Sequence, residues 1–368
     1  MHVGMSIVFQ SPQRKISDQQ IYQNELALAD LAEPLGFQSI WGVEHHFTDY
    51  TMCPDVIQFL SYMAGRTQHV QLGSMVLVLP WHDPMRAAEE VSMLDNLSGG
   101  RMILGIGRGL ARVEFEGFGL DMSESRARFI ESAQMLLAGL EQGYCEYQGE
   151  FVKQTRRDIR PAPVKSFRGR TYAAAVSPES SRVMAELGVG LLIIPQKPWD
   201  DVEEELETYR RIYLEVNQAE APAPVVVGFT FCHEDEERAE EMARRYVGGY
   251  WESVMEHYEI RNGHFKDIRG YEYYSKMTEK VAEYGDDDVR DFFLKLQVWG
   301  TPQQCIEKIK RIHQRVGQDS YVAVFSYGGM PHADAERSMR LFAEKVMPEL
   351  KAFIPRLEST DAGAGQKA

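Results

Sequence analysis

The stretch Val70-Gln-Leu-Gly-Ser-Met-Val-Leu-Val-Leu79 decides the fold, read together with the helix-patterned segment from Met85 to Leu97 and the run Arg101-Met-Ile-Leu-Gly-Ile106 that follow it. The outer two runs are apolar almost throughout, as strands are when both their faces are buried. The segment between them repeats its apolar residues at helical spacing. The same rhythm extends outward in both directions. Toward the N-terminus there are strand-like runs at 3–9 and 39–43, with helical patterns at 19–35 and 55–66. Toward the C-terminus a helical pattern at 124–140 precedes apolar runs at 171–176, 189–195, 225–231 and 321–325, which completes eight strands. Eight strands in a strand-helix rhythm leave a closed barrel or an open doubly wound sheet. The count and the lack of a domain break favour an α/β (β/α)8 TIM barrel, one domain over 1–355, with the small polar tail 356–368 expected to be disordered.

Two stretches interrupt the rhythm. Residues 143–152 (GYCEYQGEFV) read as a small hairpin outside the barrel, bent at Gly149. Residues 261–291 form a long charged insertion before the last strand, carrying Tyr271, Tyr273, Tyr274 and Tyr284, and are expected to be a functional lid or a mobile loop, with a peripheral helical insert as the alternative. Gly300-Thr-Pro-Gln-Gln304 reads as a capping box with proline at the first helical position, which starts a helix and does no chemistry.

Composition narrows the function. The 368 residues include 40 basic and 55 acidic side chains, a net charge of −15. A nucleic-acid or anionic-membrane partner would require a basic face. No apolar run is long enough to span a bilayer. Cys53, Cys145, Cys232 and Cys305 form no C-x-x-C pair, and no signal peptide precedes the first strand-like run, so a cytoplasmic protein with free thiols is expected.

Three constellations could carry chemistry. Glu44-His-His-Phe47 directly follows the second strand, where a barrel places its catalytic residues. Adjacent histidines there point different ways, so one can enter a pocket and move a proton while the other packs; two structural histidines are the alternative. No H-x-H or HExxH spacing accompanies them, so no metal is expected. Gly105-Ile-Gly-Arg-Gly109 follows the fourth strand, but Leu110 stands where a dinucleotide fingerprint needs its third glycine. The run offers close backbone approach and the Arg108 guanidinium, suited to phosphate; a tight rim turn with a surface arginine is the alternative. Ser177-Pro-Glu-Ser-Ser181 opens a helix whose free N–H groups and hydroxyls make an anion site, or simply a cap. With Arg108 on a neighbouring strand end, a phosphate bridging the two is the better reading.

Together these segments resemble the bacterial luciferase family of flavin monooxygenases, and within it the luciferase alpha subunit. The similarity runs through Glu44–Phe47, Leu77-Val-Leu-Pro80, Pro84, Leu94-Asp95, Gly100-Arg101, Gly105–Gly109, Phe118-Gly119, Ser125-Arg126 and Gly300-Thr-Pro-Gln-Gln-Cys-Ile306, in order, to about Leu350. The resemblance implies that His45 is the catalytic histidine. It implies that Arg108, Ser177, Ser180 and Ser181 hold the FMN phosphate, that Met75–Val76 carries a cis peptide beneath the flavin, and that Gly107 lies beside the ring. It further implies reduced FMN supplied by a separate flavin reductase, dioxygen as co-substrate, oxygenation through a flavin peroxide, and a homodimer formed through helices 55–66 and 85–97.

Phe9, Phe47, Gly107, Trp199, Tyr250 and Trp251 are the pocket candidates and suggest an apolar substrate, which the resemblance implies to be one such as an aldehyde, ketone or terpene. Gly107, Val176 and Tyr250 depart from the luciferase pattern of cysteine, glutamate and tryptophan, which points to an enzyme that emits no light. Gly107 in particular is expected to open space beside the flavin. The alternatives are a deazaflavin-dependent hydride-transfer enzyme on the same fold, a non-catalytic FMN-binding accessory subunit, and a metal-dependent hydrolase, the last lacking a ligand cluster in the sequence.

Overall fold

The computed structural model describes residues 1–174, 178–268 and 270–353. Eight parallel strands close a barrel: β1 (His2–Ile7), β2 (Ser39–Gly42), β3 (Gln71–Ser74), β4 (Met102–Gly107), β5 (Thr171–Ala174), β6 (Gly190–Ile193), β7 (Val225–Cys232) and β8 (Ser320–Val324). The ring shuts where Val225 and Val226 of β7 pair with Leu192 and Ile193 of β6, while β8 bridges β7 and β1. Every residue of β1, β7 and β8 is buried, the expected state of strands with side chains inside the barrel and helices outside.

The helices that frame the site are α1 (Asp18–Leu35), α2 (Val56–Ala64), α3 (Pro84–Leu97), α4 (Arg112–Gly117), α5 (Ser125–Gln142), α6 (Pro178–Leu187), α7 (Trp199–Asn217), α8 (Glu236–His257), α9 (Glu272–Tyr284), α10 (Asp286–Leu296) and α11 (Pro302–Val316). The capping box of α11 is present in both directions: Gln304 N–H donates to Thr301 Oγ1 at 3.4 Å and Thr301 N–H donates to Gln304 Oε1 at 2.8 Å. Among the described residues no helix is long and apolar enough to cross a membrane.

Three details differ from the sequence reading. The apolar run 70–79 is two segments: after β3 the chain passes a cis peptide at Met75–Val76, where the resemblance implied one, and Leu77 and Val78 then pair with Ile106 and Gly107 of β4. Continuous apolarity does not register such a break. The hairpin is longer than expected, pairing Tyr144–Gln148 with Lys153–Asp158, because its second strand (KQTRRD) is polar and almost wholly exposed. A three-residue strand, Val298–Gly300, also pairs with β7, and it is too short to show periodicity. Along α3, Ala88, Val91 and Leu94 are fully buried against their own barrel, and Met93 and Leu97 are exposed. The insertion folds as short helical turns followed by α9 and α10. Val176, Ser177 and the tail 356–368 lie outside the described residues.

Candidate active site

A cavity of about 230 Å³ opens at the C-terminal ends of the strands, the face on which barrel enzymes build their sites. Its wall takes His45 from the β2 end, Met75 and Val76 from the β3 end, Gly107 and Arg108 from the β4 end, and Ser180 from the first turn of α6. Loops after different strands thus bring together residues far apart in sequence.

The two neighbouring histidines diverge. His45 faces the cavity, and its Nδ1 bonds the Glu114 carboxylate at 3.0 Å. His46 turns away, stacking edge-on against Trp81 and Phe118, with its Nε2 3.2 Å from Glu44. Glu44 is itself buried, and it accepts from His82 Nε2 at 2.6 Å and from the Val78 N–H at 2.9 Å. Burial alone would raise the Glu44 carboxyl, but the His46 and His82 bonds outweigh it and the net shift is downward. His46 and Glu44 therefore serve to shape the loop, and Glu44 ties it to the segment after the cis peptide.

Glu114, on the short helix α4, centres the other network. One oxygen meets His45 Nδ1, the His46 N–H at 2.8 Å and His257 Nε2 at 3.5 Å. Desolvation pushes this carboxyl up, but the charges and hydrogen bonds of His45 and His257 bring it down to about 2. It is a carboxylate throughout the working pH range and fixes the orientation of the His45 ring. His45, Glu114 and His257 place three donor atoms within 4.8 Å of one another, a grouping that the sequence did not show because α4 and α8 supply two of its members. Thr48 Oγ1 lies 2.8 Å from His257 Nδ1, while Glu114 Oε2 and His257 Nε2 are buried without a hydrogen-bond partner among the described residues.

At the opposite end of the cavity two guanidiniums converge. Arg108 Nη1 donates to the Gly270 carbonyl oxygen at 2.9 Å, and Arg126 Nη2 donates to the same oxygen at 3.3 Å. Arg108 also lies over the Tyr271 ring, 3.9 Å from its centroid, and the Tyr271 hydroxyl bonds Ser125 at 2.9 Å and the Gly109 carbonyl at 3.1 Å. Burial, then the nearby Arg108 charge, lowers the Arg126 pKa. Two like charges sharing one neutral acceptor make a site that a phosphate dianion would complete. Ser180 lines the cavity on this side, whereas Ser181 is buried and borders a separate small recess with Lys197 and Glu205. Arg126, from α5, was visible in the sequence only as part of the ordered similarity.

The remaining candidates divide. Tyr250 lines the cavity, packed on Phe229 at 3.9 Å between ring centroids. Trp251 lines it too, with its buried indole N–H lacking a partner among the described residues. Phe9 does not reach the cavity: with φ of 48° its ring turns outward onto Tyr22 and Phe59. Phe47, with φ of 64°, is 60% exposed and packs on Phe118 at the surface. Trp199 begins α7, and it is not among the cavity-lining residues described. Gly107 opens no space, since a Cβ there would sit 2.2 Å from Val76 Cγ2 and Val76 already fills the volume. From the insertion, Tyr274 and Met277 close the cavity above.

The family model for luciferase-like monooxygenases matches residues 1–319, and the chain belongs to that family. The alkanal monooxygenase alpha chain of Photorhabdus luminescens is 27% identical over 352 residues, covering 94% of this chain and 96% of that one. A solved monooxygenase structure from Streptomyces bottropensis superposes with a TM-score of 0.76 at 26% identity, over 95% of this chain and 99% of that one. The oxygenating constituent of 3,6-diketocamphane monooxygenase from Pseudomonas putida, a type II Baeyer-Villiger monooxygenase solved with FMN, gives 0.73 at 19% identity over 95% and 98%. At that identity the likeness speaks for the fold alone.

Proposed function

We propose that the protein is the oxygenating component of a two-component flavin-dependent monooxygenase. In this reading it takes reduced FMN from a separate flavin reductase and uses dioxygen to oxygenate a small, largely apolar substrate. The observation that carries it is the pairing, across one cavity, of the Arg108–Arg126 anion site with the His45–Glu114 pair, over a floor of Met75 and Val76. The residues present fit the cofactor: two converging guanidiniums, an apolar floor, and buried indole N–H groups on Trp81 and Trp251 that lack an acceptor among the described residues.

When bound, reduced FMN would supply the electrons that activate dioxygen. The chain's own residues do the rest. Arg108 and Arg126, with Ser180 and the N-terminus of α6, hold the phosphate; Ser177, the expected cap of that helix, belongs to the same proposal. Tyr274 and Met277 of the insertion exclude water from the chamber. His45, oriented through Nδ1 by Glu114, holds or moves a proton at Nε2. Pairing with a second copy through α2 and α3, where Tyr62, Met93 and Leu97 are exposed, and a cytoplasmic setting in which the four buried cysteines stay reduced complete the proposal.

Titration of the purified protein with oxidised FMN, reduced FMN and a deazaflavin tests it. Preferential binding of reduced FMN, followed by oxygen-dependent product formation, supports the reading. Preference for the deazaflavin with anaerobic hydride transfer overturns it in favour of the other cofactor class on this fold.

A further inference from the structure

Three tyrosines on the cavity wall form a row that ends on His45. The Tyr250 and Tyr50 hydroxyls are 2.7 Å apart, the Tyr50 and Tyr258 rings meet edge to face with centroids 5.3 Å apart, and the Tyr258 hydroxyl stands 3.5 Å from His45 Nε2. All three rings line the cavity. Tyr50 comes from the loop after β2, and Tyr250 and Tyr258 come from α8 and its C-cap. The row is held from behind: Tyr50 stacks on His257 with ring centroids 4.5 Å apart and planes 11° apart, and Tyr250 is pressed between Tyr50, Phe229 and Phe293. Burial raises each phenol well above its ordinary value, so each carries its proton at neutral pH.

We propose that Tyr250, Tyr50 and Tyr258 are a proton relay linking the apolar substrate chamber to His45, and that the substrate presents a carbonyl or enol oxygen to Tyr250. The direction of the row follows from His45. With Nδ1–H donated to Glu114, Nε2 is an acceptor; Tyr258 donates to it, Tyr50 to Tyr258 and Tyr250 to Tyr50. The Tyr250 oxygen then accepts a proton from an enol. With His45 protonated at both nitrogens the row reverses, and Tyr250 donates to a carbonyl. One proton moves per passage. The substrate O–H bond breaks as Tyr250 gains that proton, each phenol passes its own along, and Tyr258 delivers the last to Nε2. This leaves a substrate oxyanion and an imidazolium paired with Glu114, and no electrons change hands. A hydrocarbon at Tyr250 would leave the row without a terminus and a buried hydroxyl partly unsatisfied.

The titratable groups facing the row are His257 against Tyr50, Glu114 behind both imidazoles, Tyr274 beside Tyr258, and Glu259 beyond His257. Tyr250, Tyr50 and Tyr258 act on the substrate oxygen only in the context of the proposed oxygenase reading, but their recognition of that oxygen is measurable without any cofactor.

The test compares binding of cyclohexanone and methylenecyclohexane, of the same shape but without the oxygen, to the cofactor-free protein by calorimetry from pH 5 to 8. The wild type is expected to prefer the ketone about tenfold, the value of one well-placed hydrogen bond, with a preference that varies with pH. Tyr250→Phe should abolish the preference. Tyr50→Phe, which keeps the Tyr250 hydroxyl, should retain a preference and lose its pH dependence. An unchanged preference in Tyr250→Phe, or an unchanged pH dependence in Tyr50→Phe, overturns the relay. Both variants remove one oxygen and keep the ring, and their melting curves establish that they fold. Failure of the oxygenase reading is a separate result: it shows as absence of oxygenated product from the wild type, whatever the ketone binding does.

Discussion

Arg108 and Arg126 donate to a single backbone oxygen, that of Gly270, from 2.9 and 3.3 Å. The two arginines sit on the strand-end loop after β4 and on α5, and the acceptor belongs to the insertion. An incoming phosphate would compete with a neutral carbonyl for two guanidiniums and would win, since charge-assisted bonds to an anion are roughly twice as strong as those to a neutral acceptor. The anion site is thereby coupled to the position of the insertion.

This coupling predicts a phosphate-specific loss. Replacing Arg108 or Arg126 with alanine should weaken FMN binding by about 10- to 100-fold, the cost of one charge-assisted hydrogen bond. Binding of riboflavin, which lacks the phosphate, should change little. Fluorescence titrations of both flavins against each variant check it, and an equal loss for riboflavin would assign the arginines to folding.

The Glu114–His45 pair predicts a second separation. Glu114→Gln keeps a hydrogen-bond acceptor for His45 but removes the charge, and it should lower the rate of substrate oxygenation by about 10- to 100-fold, within the range that general acid-base groups contribute. His45→Ala should release hydrogen peroxide in place of oxygenated product. The ratio of peroxide to product, measured with a supplied reductase, reports both, and an unchanged ratio in His45→Ala would remove this histidine from the chemistry.

Much of this site was legible in the sequence because barrels put strand-end residues on one face. His45, Arg108 and Ser180 could be located by counting strands, and Thr301 and Gln304 named the start of α11 outright. Other conspicuous motif residues turned out to be scaffold. Arg101 donates to the carbonyls of Ala64, Thr67, Val70 and Ser98, and buried Asp95 pairs with Arg170 at 2.6 Å. What could not be read were contacts made through the third dimension. Glu114, Tyr50 and the adjacent pair His257–Tyr258 come from three separate segments with no shared spacing. Phe9 and Phe47, both with positive φ, do not line the cavity; their contacts with Tyr22, Phe59 and Phe118 likewise depend on the folded chain.

Gly107 offers a packing test. Alanine there would clash with Val76 Cγ2, and overpacking of this kind costs about 1–3 kcal/mol. Gly107→Ala should lower the melting temperature, and adding Val76→Ala should restore most of the loss, a coupling that a double-mutant cycle resolves. Additivity of the two changes would contradict the geometry.

Glu25 predicts a pH dependence. This carboxyl on α1 is buried, 4% exposed, and desolvation raises it to about 7 despite bonds from Ser326 and the backbone at Val8 and Phe9. A carboxyl raised above its unfolded value stabilises the fold fully below about pH 4.5, and that contribution is lost as pH rises through about 7. Glu25→Gln, which is neutral throughout, should therefore match the wild type near pH 4 and be more stable at pH 8 by about 3 kcal/mol. Denaturant titrations at the two pH values check it; an equal difference at both would contradict the assignment.

The central claim is most directly tested by tracing oxygen. The protein is supplied with reduced FMN by a separate reductase under 18O-labelled dioxygen, with a panel of ketones, aldehydes and terpenes, and the products are weighed by mass spectrometry. One labelled atom in the product, lost in Arg108→Ala and in His45→Ala, is the predicted result. Product that carries no label, or turnover that proceeds without oxygen on a deazaflavin, would contradict it.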